Sequence, residues 1–291
     1  MSIDIPRKII DDNDIDETYS FDIPRTTATY DIYYTRGEKS RPDLVHKAWQ
    51  INAACYIKFR YVDASGKLED DTLAPELDGT REKLGVPITV SYLLSTPRGK
   101  SIDESEGSIR IVDAHDNQVV HLPTYKYFDK DETADVRDNM QEVVRVYGAE
   151  NVREIAAMST IGDHLSSYEL MRAVVQSAMV RQAATGKTEV YLTSLTKLSF
   201  RPIIELVGRN AAHVLGRSVK IHQEDPRANR DLSVTPVLFE PCRITMGIVQ
   251  EIEQATDQAD IDRLMGKLMF FNDGLTNEQI GKPVLSFLKS L

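Results

Sequence analysis

The feature that most constrains the fold is a strand–helix–strand block at residues 152–194. Residues 152–160 (VREIAAMST) predict a short apolar strand, and residues 189–194 predict a second one. Between residues 168 and 184 the apolar positions recur with the period of a helix that buries one face, and Gly186 ends it. The block therefore predicts a sheet with a helix packed on it.

The remaining segments add strands and helices in mixed order on both sides of this block. β-branched and aromatic runs predict the strands, and apolar residues repeated on one helical face predict the helices. This order predicts an α/β (α+β mixed) fold with a central mixed sheet flanked by helices. The predicted domains are an acidic arm (1–26), a sheet domain (27–242) and a helical C-terminal extension (243–291). The further predicted strands are 27–35, 86–95, 107–113, 214–222 and 234–240, and the further helices follow Pro42 or occupy 129–148, 196–207 and two stretches of 244–291.

The charge balance and the hydropathy pattern exclude several classes of protein. The 291 residues carry 35 Lys and Arg against 45 Asp and Glu, so the net charge is −10 and nonspecific nucleic-acid binding is disfavoured. No run approaches the ~18 apolar residues of a membrane span, and residues 1–30 lack the layout of a signal peptide. With only Cys55 and Cys242, no disulfide framework is expected. These features predict a cytoplasmic protein without a membrane span.

Common cofactor and metal motifs are missing from the sequence. The dinucleotide (G-x-G-x-x-G), P-loop (G-x-x-x-x-G-K-[ST]), zincin (H-E-x-x-H) and hydrolase-elbow (G-x-S-x-G) patterns do not occur. Residues 11–17 are acidic, but they lack the glycine that a calcium loop needs at its sixth position, so they predict a solvated arm. No metal site is predicted.

Several local patterns carry a resemblance to a known family. Residues 107–112 (GSIRIV) are similar to a G-T-x-R-L strand, and residues 76–78 (ELD) lie upstream as an E-x-D turn does. Residues 154–157 (EIAA) are similar to an E-x-S-R-F strand followed by a long helix, and residues 236–238 (PVL) to the closing strand. Over residues 27–240 the chain thus resembles the GNAT-fold N-acyltransferases, in particular the acyl-homoserine-lactone (autoinducer) synthases and the N-acyl amino acid synthases.

The resemblance implies an N-acyltransferase that moves an acyl group from an acyl-carrier-protein or CoA thioester to the amine of an amino-acid-like acceptor. It implies an acyl carrier protein and a small-molecule amine as partners, no bound cofactor, and a role in autoinducer synthesis and quorum sensing. Ala156 and Ala157 stand where the family has Arg-Phe, and Leu68 lies nearest the position of its tryptophan. Because those positions help shape the S-adenosylmethionine pocket, the acceptor stays open between S-adenosylmethionine and an ordinary amino acid. Residues 160–164 (TIGDH) replace the acetyl-CoA loop pattern, which favours a carrier-protein donor.

Glu154 and Arg110 are the predicted catalytic residues. Acyl transfer needs a base that takes a proton from the amine, and a carboxylate among apolar strand residues is desolvated. The alternative is a structural glutamate paired with Arg153 or with solvent. Arg110 lies mid-strand on the face opposite its neighbours, where its fork of donors fits a carboxylate; the alternative is an exposed edge residue. Backbone N–H groups near residues 156–159 are expected to hold the acyl carbonyl.

Further side chains are assigned to the substrates, each with a structural alternative. Glu76 and Asp78 are expected to hold the acceptor's ammonium or to cap a turn. Met158 is expected to line the acyl chain or to belong to the core. Ser166 is expected to touch the pantetheine arm, but with Glu169 it also has the spacing of a helix capping box. The predicted substrate-binding residues are Glu76, Asp78, Met158, Ser159, Thr160, His164 and Ser166.

The resemblance also predicts a dock for a carrier protein. Carrier proteins are acidic, so the dock should be basic although the chain's net charge is negative. The alternative is that these side chains form an ordinary solvated helix face. The predicted docking residues, on the long helix or after it, are Arg172, Arg181, Lys187, Lys197 and Arg201.

Two other functions remain open from the sequence. One is an N-acyl amino acid synthase that does not use S-adenosylmethionine, and the other is a non-catalytic GNAT-like binding or scaffold protein. An opening between two neighbouring strands beside Glu154 would favour catalysis. An unbroken, fully paired sheet with that carboxylate facing water would contradict it.

Overall fold

Helices cover both faces of a mixed sheet, so the fold class that the sequence predicts is confirmed. The structure is a computed structural model that describes residues 16–21, 30–36, 41–58, 90–113, 122–128, 131–162, 164–208, 210–220 and 232–290. The strands are β1 (Asp16–Phe21), β2 (Tyr30–Arg36), β3 (Val90–Pro97), β4 (Gly107–Asp113), β5 (Val152–Thr160), β6 (Val190–Thr196), β7 (Ala212–Val214), β8 (Val219–Lys220) and β9 (Ser233–Phe239). The helices are α1 (Pro42–Lys58), α2 (Pro123–Tyr127), α3 (Ala134–Tyr147), α4 (His164–Thr185), α5 (Lys197–Val207), α6 (Pro241–Gln254), α7 (Gln258–Asn272), α8 (Asn277–Ile280) and α9 (Lys282–Ser290).

The strands follow the order β1-β2-β3-β4-β5-β6-β9-β7 across the sheet, and β8 also pairs with β9. Each neighbouring pair is antiparallel except β5 and β6, which are parallel. Parallel strands need a crossover connection, and α4 supplies it between these two. The strand–helix–strand block that dominates the sequence therefore lies in the middle of the sheet.

Alternate side chains of the central strands enter two separate hydrophobic clusters. On β4, Ile109 and Ile111 belong to one cluster and Val112 to the other. We call the side covered by α1, α2 and α3 the α1 face, and the side covered by α4, α5, α6 and α7 the α4 face. Because strand side chains alternate, the even-numbered residues of β4 lie on the α1 face.

The glycine that opens β4 is required by the close approach of α4. A Cβ built on Gly107 would lie 2.6 Å from Oγ of Ser95 and 2.9 Å from Cδ1 of Leu170, and closer still to Ser166. The helix already begins at His164, so the prediction that Ser166 caps it is wrong. Ser166 is instead fully buried, and its hydroxyl lies 2.5 Å from that of Ser95. The Ser166 hydroxyl therefore contacts the sheet instead of capping the helix.

The two ends of the described chain differ from the sequence prediction. Residues 16–21 (DETYSF), assigned to an acidic arm, form β1, because β2 offers a partner to a segment with β-branched and aromatic residues. The C-terminal extension, expected as two helices, contains α6, α7, α8 and α9. Ile248 of α6 and Leu268 of α7 enter the α4-face cluster, so the extension shares its core with α4. No helix in the described ranges has the length and apolarity needed to cross a membrane.

Candidate active site

The sheet is split between β5 and β6. The parallel register of these strands ends where Ile155 pairs with Thr193, whose hydroxyl donates to the Ile155 carbonyl at 2.9 Å. Beyond that point β5 stays paired with β4 as far as Thr160, and β6 stays paired with β9 as far as Thr196. From Ala156 on β5 and Ser194 on β6 these two neighbouring strands are therefore no longer paired with each other, beginning two residues after Glu154.

A β-bulge lies at the same point of β5. The register with β4 shifts from Arg110, which pairs with Ala157, to Ile111, which pairs with Ile155, so Ala156 has no partner on β4. Bulges re-aim side chains and are frequent beside active sites. Ala156 packs against the α1-face cluster, and Ala157 shares the face of Arg110 across the strands. On the α1 face the split is therefore bordered by two very small side chains.

Glu154 precedes the split and is 1 % exposed on the α1 face. Its carboxylate accepts hydrogen bonds from the backbone N–H of Thr124, at 2.9 Å to Oε1 and 3.0 Å to Oε2. The Thr124 hydroxyl also donates to Oε1, at 2.7 Å. Thr124 lies in the first turn of α2, where backbone N–H groups favour a negative charge. Glu154 therefore does not face solvent, and Arg153, the sequence-based alternative partner, forms an ion pair with Glu189 at 2.5 Å.

Two successive hydrogen bonds connect Glu154 to the split through Thr124. Ser194 Oγ donates to Thr124 Oγ1 at 2.9 Å, and Thr124 in turn donates to Glu154. Ser194 is half-buried and is the first residue of β6 after its register with β5 ends. Neither Thr124 nor Ser194 is among the sequence-predicted site residues. One signal for α2 is present in the sequence, since Pro123 fits the first position of a helix.

Arg110 lies on the α1 face between Tyr92 and Ala157 of the neighbouring strands. It is half-buried, and its buried Nε has no hydrogen-bond partner among the described residues. Tyr92 is buried beside it and accepts a hydrogen bond from the Trp49 indole N–H at 3.2 Å. The alternative of an edge residue is wrong, because β4 is paired on both sides. A charged guanidinium with a buried, unpartnered N–H favours an anionic ligand at this place.

The residues at the end of β5 use their side chains to hold the strand. Ser159 is buried, and its hydroxyl donates to the side-chain oxygen of Asn52 on α1. The Thr160 hydroxyl donates to the carbonyl of Glu106 at 3.1 Å, and Met158 packs against the α4-face cluster. The backbone of Ser159 and Thr160 therefore borders the split, while their hydroxyls hold the end of β5 against α1 and the residue before β4.

The turn between β5 and α4 carries a carboxylate. A Cβ built on Gly162 would lie 2.5 Å from Cδ of Glu106, so this side chain rests against the turn. The Tyr30 hydroxyl donates to Glu106 Oε2 at 3.0 Å and holds it there. A negative charge at this position repels a further anion. His164 begins α4 after the turn. Ser166 is fully buried and its hydroxyl bonds to that of Ser95, so its contact with a pantetheine arm stays a prediction.

Arg172 is 1 % exposed, so its assignment to a surface dock is wrong. Its guanidinium lies 3.1 Å from the carboxylate of Asp273, 3.8 Å from that of Glu169 and 5.1 Å from the ring centroid of Phe270. Gln176, one turn further along α4, donates to the Asp273 carbonyl at 2.9 Å. Arg172 therefore fastens the C-terminal extension to α4. A helical pattern does not reveal a partner so distant in the chain.

The other four predicted docking residues differ in their surroundings. Arg181 is partly buried and forms an ion pair with a buried glutamate at 2.6 Å, and Lys187 lies past the far end of α4. Lys197 and Arg201 are exposed on α5, which follows β6 directly, and Leu198 between them is 63 % exposed. Of the predicted dock, the pair on α5 thus lies at the end of the sheet where the split opens.

Glu76 and Asp78, the predicted ligands of the acceptor's ammonium, lie outside the described residues, as does Leu68. Within the described ranges, no group of three or more His, Cys, Asp and Glu side chains is arranged to hold a metal ion. The candidate site therefore consists of the split, the Glu154 carboxylate, the hydroxyls of Thr124 and Ser194, and Arg110.

No protein-family model matches the sequence, and no curated protein matches it. Several solved structures are similar to it. AHL synthase LasI is 12 % identical with a TM-score of 0.47, over 72 % of this chain and 89 % of that one. Mosquito arylalkylamine N-acetyltransferase like 5b is 11 % identical with a TM-score of 0.38, over 71 % and 98 %. A Drosophila melanogaster polyamine N-acetyltransferase is 10 % identical with a TM-score of 0.37, over 71 % and 98 %. Likenesses of this size do not define the reaction of this chain.

Proposed function

We propose that the protein is an N-acyltransferase that moves an acyl group from a carrier-protein thioester to the amine of a carboxylate-bearing acceptor. The observation that carries this proposal is the split between β5 and β6, with the buried carboxylate of Glu154 at its closed end. Past Ile155 the backbone of β5 has no partner in β6, and an extended thioester arm can pair with such an edge as an added strand does.

The groups around the split account for each step of acyl transfer. The amine nitrogen attacks the thioester carbonyl, a C–N bond forms, and the C–S bond breaks to release the thiol. Backbone N–H groups of β5 past Ile155 are the proposed donors to the oxyanion that develops during attack. Because an α-amino group is partly protonated at neutral pH, it must lose a proton, and Glu154 is the proposed destination. The departing thiolate takes up a proton in turn.

Transfer is proposed to be direct, without a covalent acyl-enzyme. A cysteine nucleophile needs a thiolate, and both cysteines are held as thiols. Burial raises the pKa of Cys55, whose thiol donates to the carbonyl of Thr160 at 2.9 Å. Burial, together with the charges of Glu189 and Glu240, raises the pKa of Cys242 to about 12. The amine is therefore the proposed nucleophile at the thioester itself.

The charges near the split favour a carrier-protein donor over free CoA. Glu106 holds a carboxylate against the turn before α4, where the several phosphates of CoA would be repelled. A carrier-bound pantetheine arm brings fewer phosphate charges. Lys197 and Leu198 are exposed at the start of α5, and Arg201 lies one turn further on, paired with Glu205 at 2.7 Å; an acidic partner could bind Lys197 and compete with Glu205 for Arg201.

Arg110 is the proposed binding group for the acceptor's carboxylate. A guanidinium binds a carboxylate through two parallel N–H bonds, and the buried Nε of Arg110 has no partner among the described residues. Ala156 and Ala157, which lie on the same face beside this side chain and the split, both have very small side chains. An amino acid carries both groups that this proposal needs, an amine for the thioester and a carboxylate for Arg110. S-adenosylmethionine carries the same two groups, so the product decides between them.

Turnover with defined substrates tests this function. The protein is incubated with a carrier-protein thioester or the matching CoA thioester, together with single amino acids, S-adenosylmethionine or the corresponding decarboxylated amines. Thiol release and product mass are measured. We expect an N-acyl amino acid and one thiol per product, with faster turnover from the carrier thioester. A lactone released with methylthioadenosine would identify autoinducer synthesis instead.

Arg110→Gln supplies the matched variant for this experiment. Because a hydrogen bond to a charged group contributes about 1.5–3 kcal/mol, the KM for an amino acid should rise roughly 10–100-fold, while that for the decarboxylated amine stays unchanged. An equal loss with both acceptors would contradict the carboxylate-binding role. If no thiol is released and no product forms with any of these substrates, the proposed enzymatic activity is contradicted, and a non-catalytic binding protein is favoured.

A further inference from the structure

The carboxylate of Glu154 is too deeply buried to contact an acceptor amine in the split. It is 1 % exposed, and its oxygens are engaged by the backbone N–H and the hydroxyl of Thr124. A general base works only within hydrogen-bond reach of the proton it removes, or through an intervening group that passes the proton on. If Glu154 is the base, a route from the split to its oxygens is needed.

The hydrogen bonds in this region form such a route. Ser194 Oγ lies 2.9 Å from Thr124 Oγ1, which lies 2.7 Å from Glu154 Oε1. The three groups belong to β6, α2 and β5, so the tertiary fold brings them together. Ser194 is half-buried and stands on the first position of β6 after the β5 register ends. The hydrogen bonds thus run from Ser194 at the split to the buried carboxylate of Glu154.

The donor directions in this chain are fixed by the carboxylate. Glu154 accepts, so the single proton of the Thr124 hydroxyl points to it, and Thr124 Oγ1 must accept from Ser194. Ser194 therefore donates its hydroxyl proton to Thr124, and the lone pairs of its Oγ can accept further hydrogen bonds. A hydroxyl in this state suits an N–H donor, such as a protonated amine, on its remaining side.

We propose that Ser194 and Thr124 relay the proton of the acceptor amine to Glu154. The inference rests on the proposed acyltransferase function. The amine gives a proton to Ser194 Oγ, the Ser194 proton passes to Thr124 Oγ1, and the Thr124 proton passes to Glu154 Oε1. Both hydroxyls are regenerated, the carboxylate becomes a neutral acid, and the nitrogen gains the lone pair that attacks the thioester. Ser194 touches the substrate in this scheme, and Thr124 acts through it.

Removing either hydroxyl tests the relay. Ser194→Ala and Thr124→Val each break one link, and we expect each to lower kcat by about 10²-fold, with little change in the KM of the acceptor. Because both act in one route, the double variant should be no slower than the worse single variant. Ser194→Thr and Thr124→Ser keep the hydroxyls and should retain activity. Ser218→Ala removes a surface hydroxyl that pairs with Thr235 and serves as the control.

An acceptor that is unprotonated at the assay pH separates a relay from a structural role. An alkoxyamine analogue of the acceptor does not need to lose a proton before it attacks, so Ser194→Ala should cost it much less kcat than it costs the amine. An equal loss with both nucleophiles, or full activity of Ser194→Ala and Thr124→Val, would overturn the relay while the acyltransferase stands. Absence of turnover by the wild-type protein would overturn the proposed function and the relay together.

Discussion

Glu154→Gln is expected to lower kcat for acyl transfer by about 10²–10⁴-fold, the range of a lost general base. The amide has nearly the same shape, and its oxygen can still accept from the N–H and hydroxyl of Thr124, so the protein should fold. It cannot take up a proton, and therefore the acceptor amine stays protonated. Steady-state thiol release with a carrier thioester and saturating acceptor measures the loss, and a thermal melt checks the fold.

Glu240→Gln is the matched control for that experiment. Glu240 is also buried and pairs with His213 and Arg243, each at 2.8 Å. The folded variant should keep the wild-type kcat, because in the part of the chain that the structure describes the Glu240 carboxylate pairs with His213 and Arg243 rather than with a residue of the split. If Glu154→Gln were as active as Glu240→Gln, the carboxylate beside the split would serve only to hold α2.

Arg172→Met is expected to destabilise the protein by about 3–5 kcal/mol, as removal of one partner from a buried ion pair does. The methionine fills the space between α4 and α7 but leaves the carboxylates of Glu169 and Asp273 without the guanidinium near them. Urea denaturation followed by circular dichroism measures the free energy of unfolding. Adding Glu169→Gln to the variant should recover part of the loss, because it removes one of the buried charges.

Arg201→Met provides the comparison on the protein surface. Arg201 is 85 % exposed and pairs with Glu205 across one helical turn, so its replacement should barely change the free energy of unfolding. The two arginines are indistinguishable in a helical pattern and opposite in their surroundings. Equal stability of the Arg172→Met and Arg201→Met variants would contradict the role of Arg172 in fastening the C-terminal extension.

Much of the sheet is predictable because its strands carry their own signals. The β-branched and apolar runs at Gly107–Asp113 and Val152–Thr160 coincide with β4 and β5. The helical period and Gly186 define α4, whose start is misplaced because the Ser166 hydroxyl bonds across to Ser95 rather than capping the helix. Local patterns thus predict the elements well and their ends less well, since tertiary contacts compete for the same polar groups.

The site is only partly predictable for a related reason. Glu154 and Arg110 lie within strands that the sequence predicts, so the alternation of side chains along a strand indicates the face of the sheet on which each one lies. Thr124 and Ser194 reach Glu154 only because α2 and β6 fold beside β5, and neither has a sequence pattern of its own. The burial of Arg172 depends in the same way on a turn after α7, far along the chain.

Titration of the isotope-labelled protein with a non-hydrolysable acyl-pantetheine thioether, followed by backbone amide NMR, tests most directly whether the split holds the donor. We expect the largest shifts at residues 156–160 of β5 and 194–198 of β6 and α5, because the arm would pair with the strand edges there. Saturable shifts confined to another surface, or none at millimolar thioether, would contradict a thioester site between these strands.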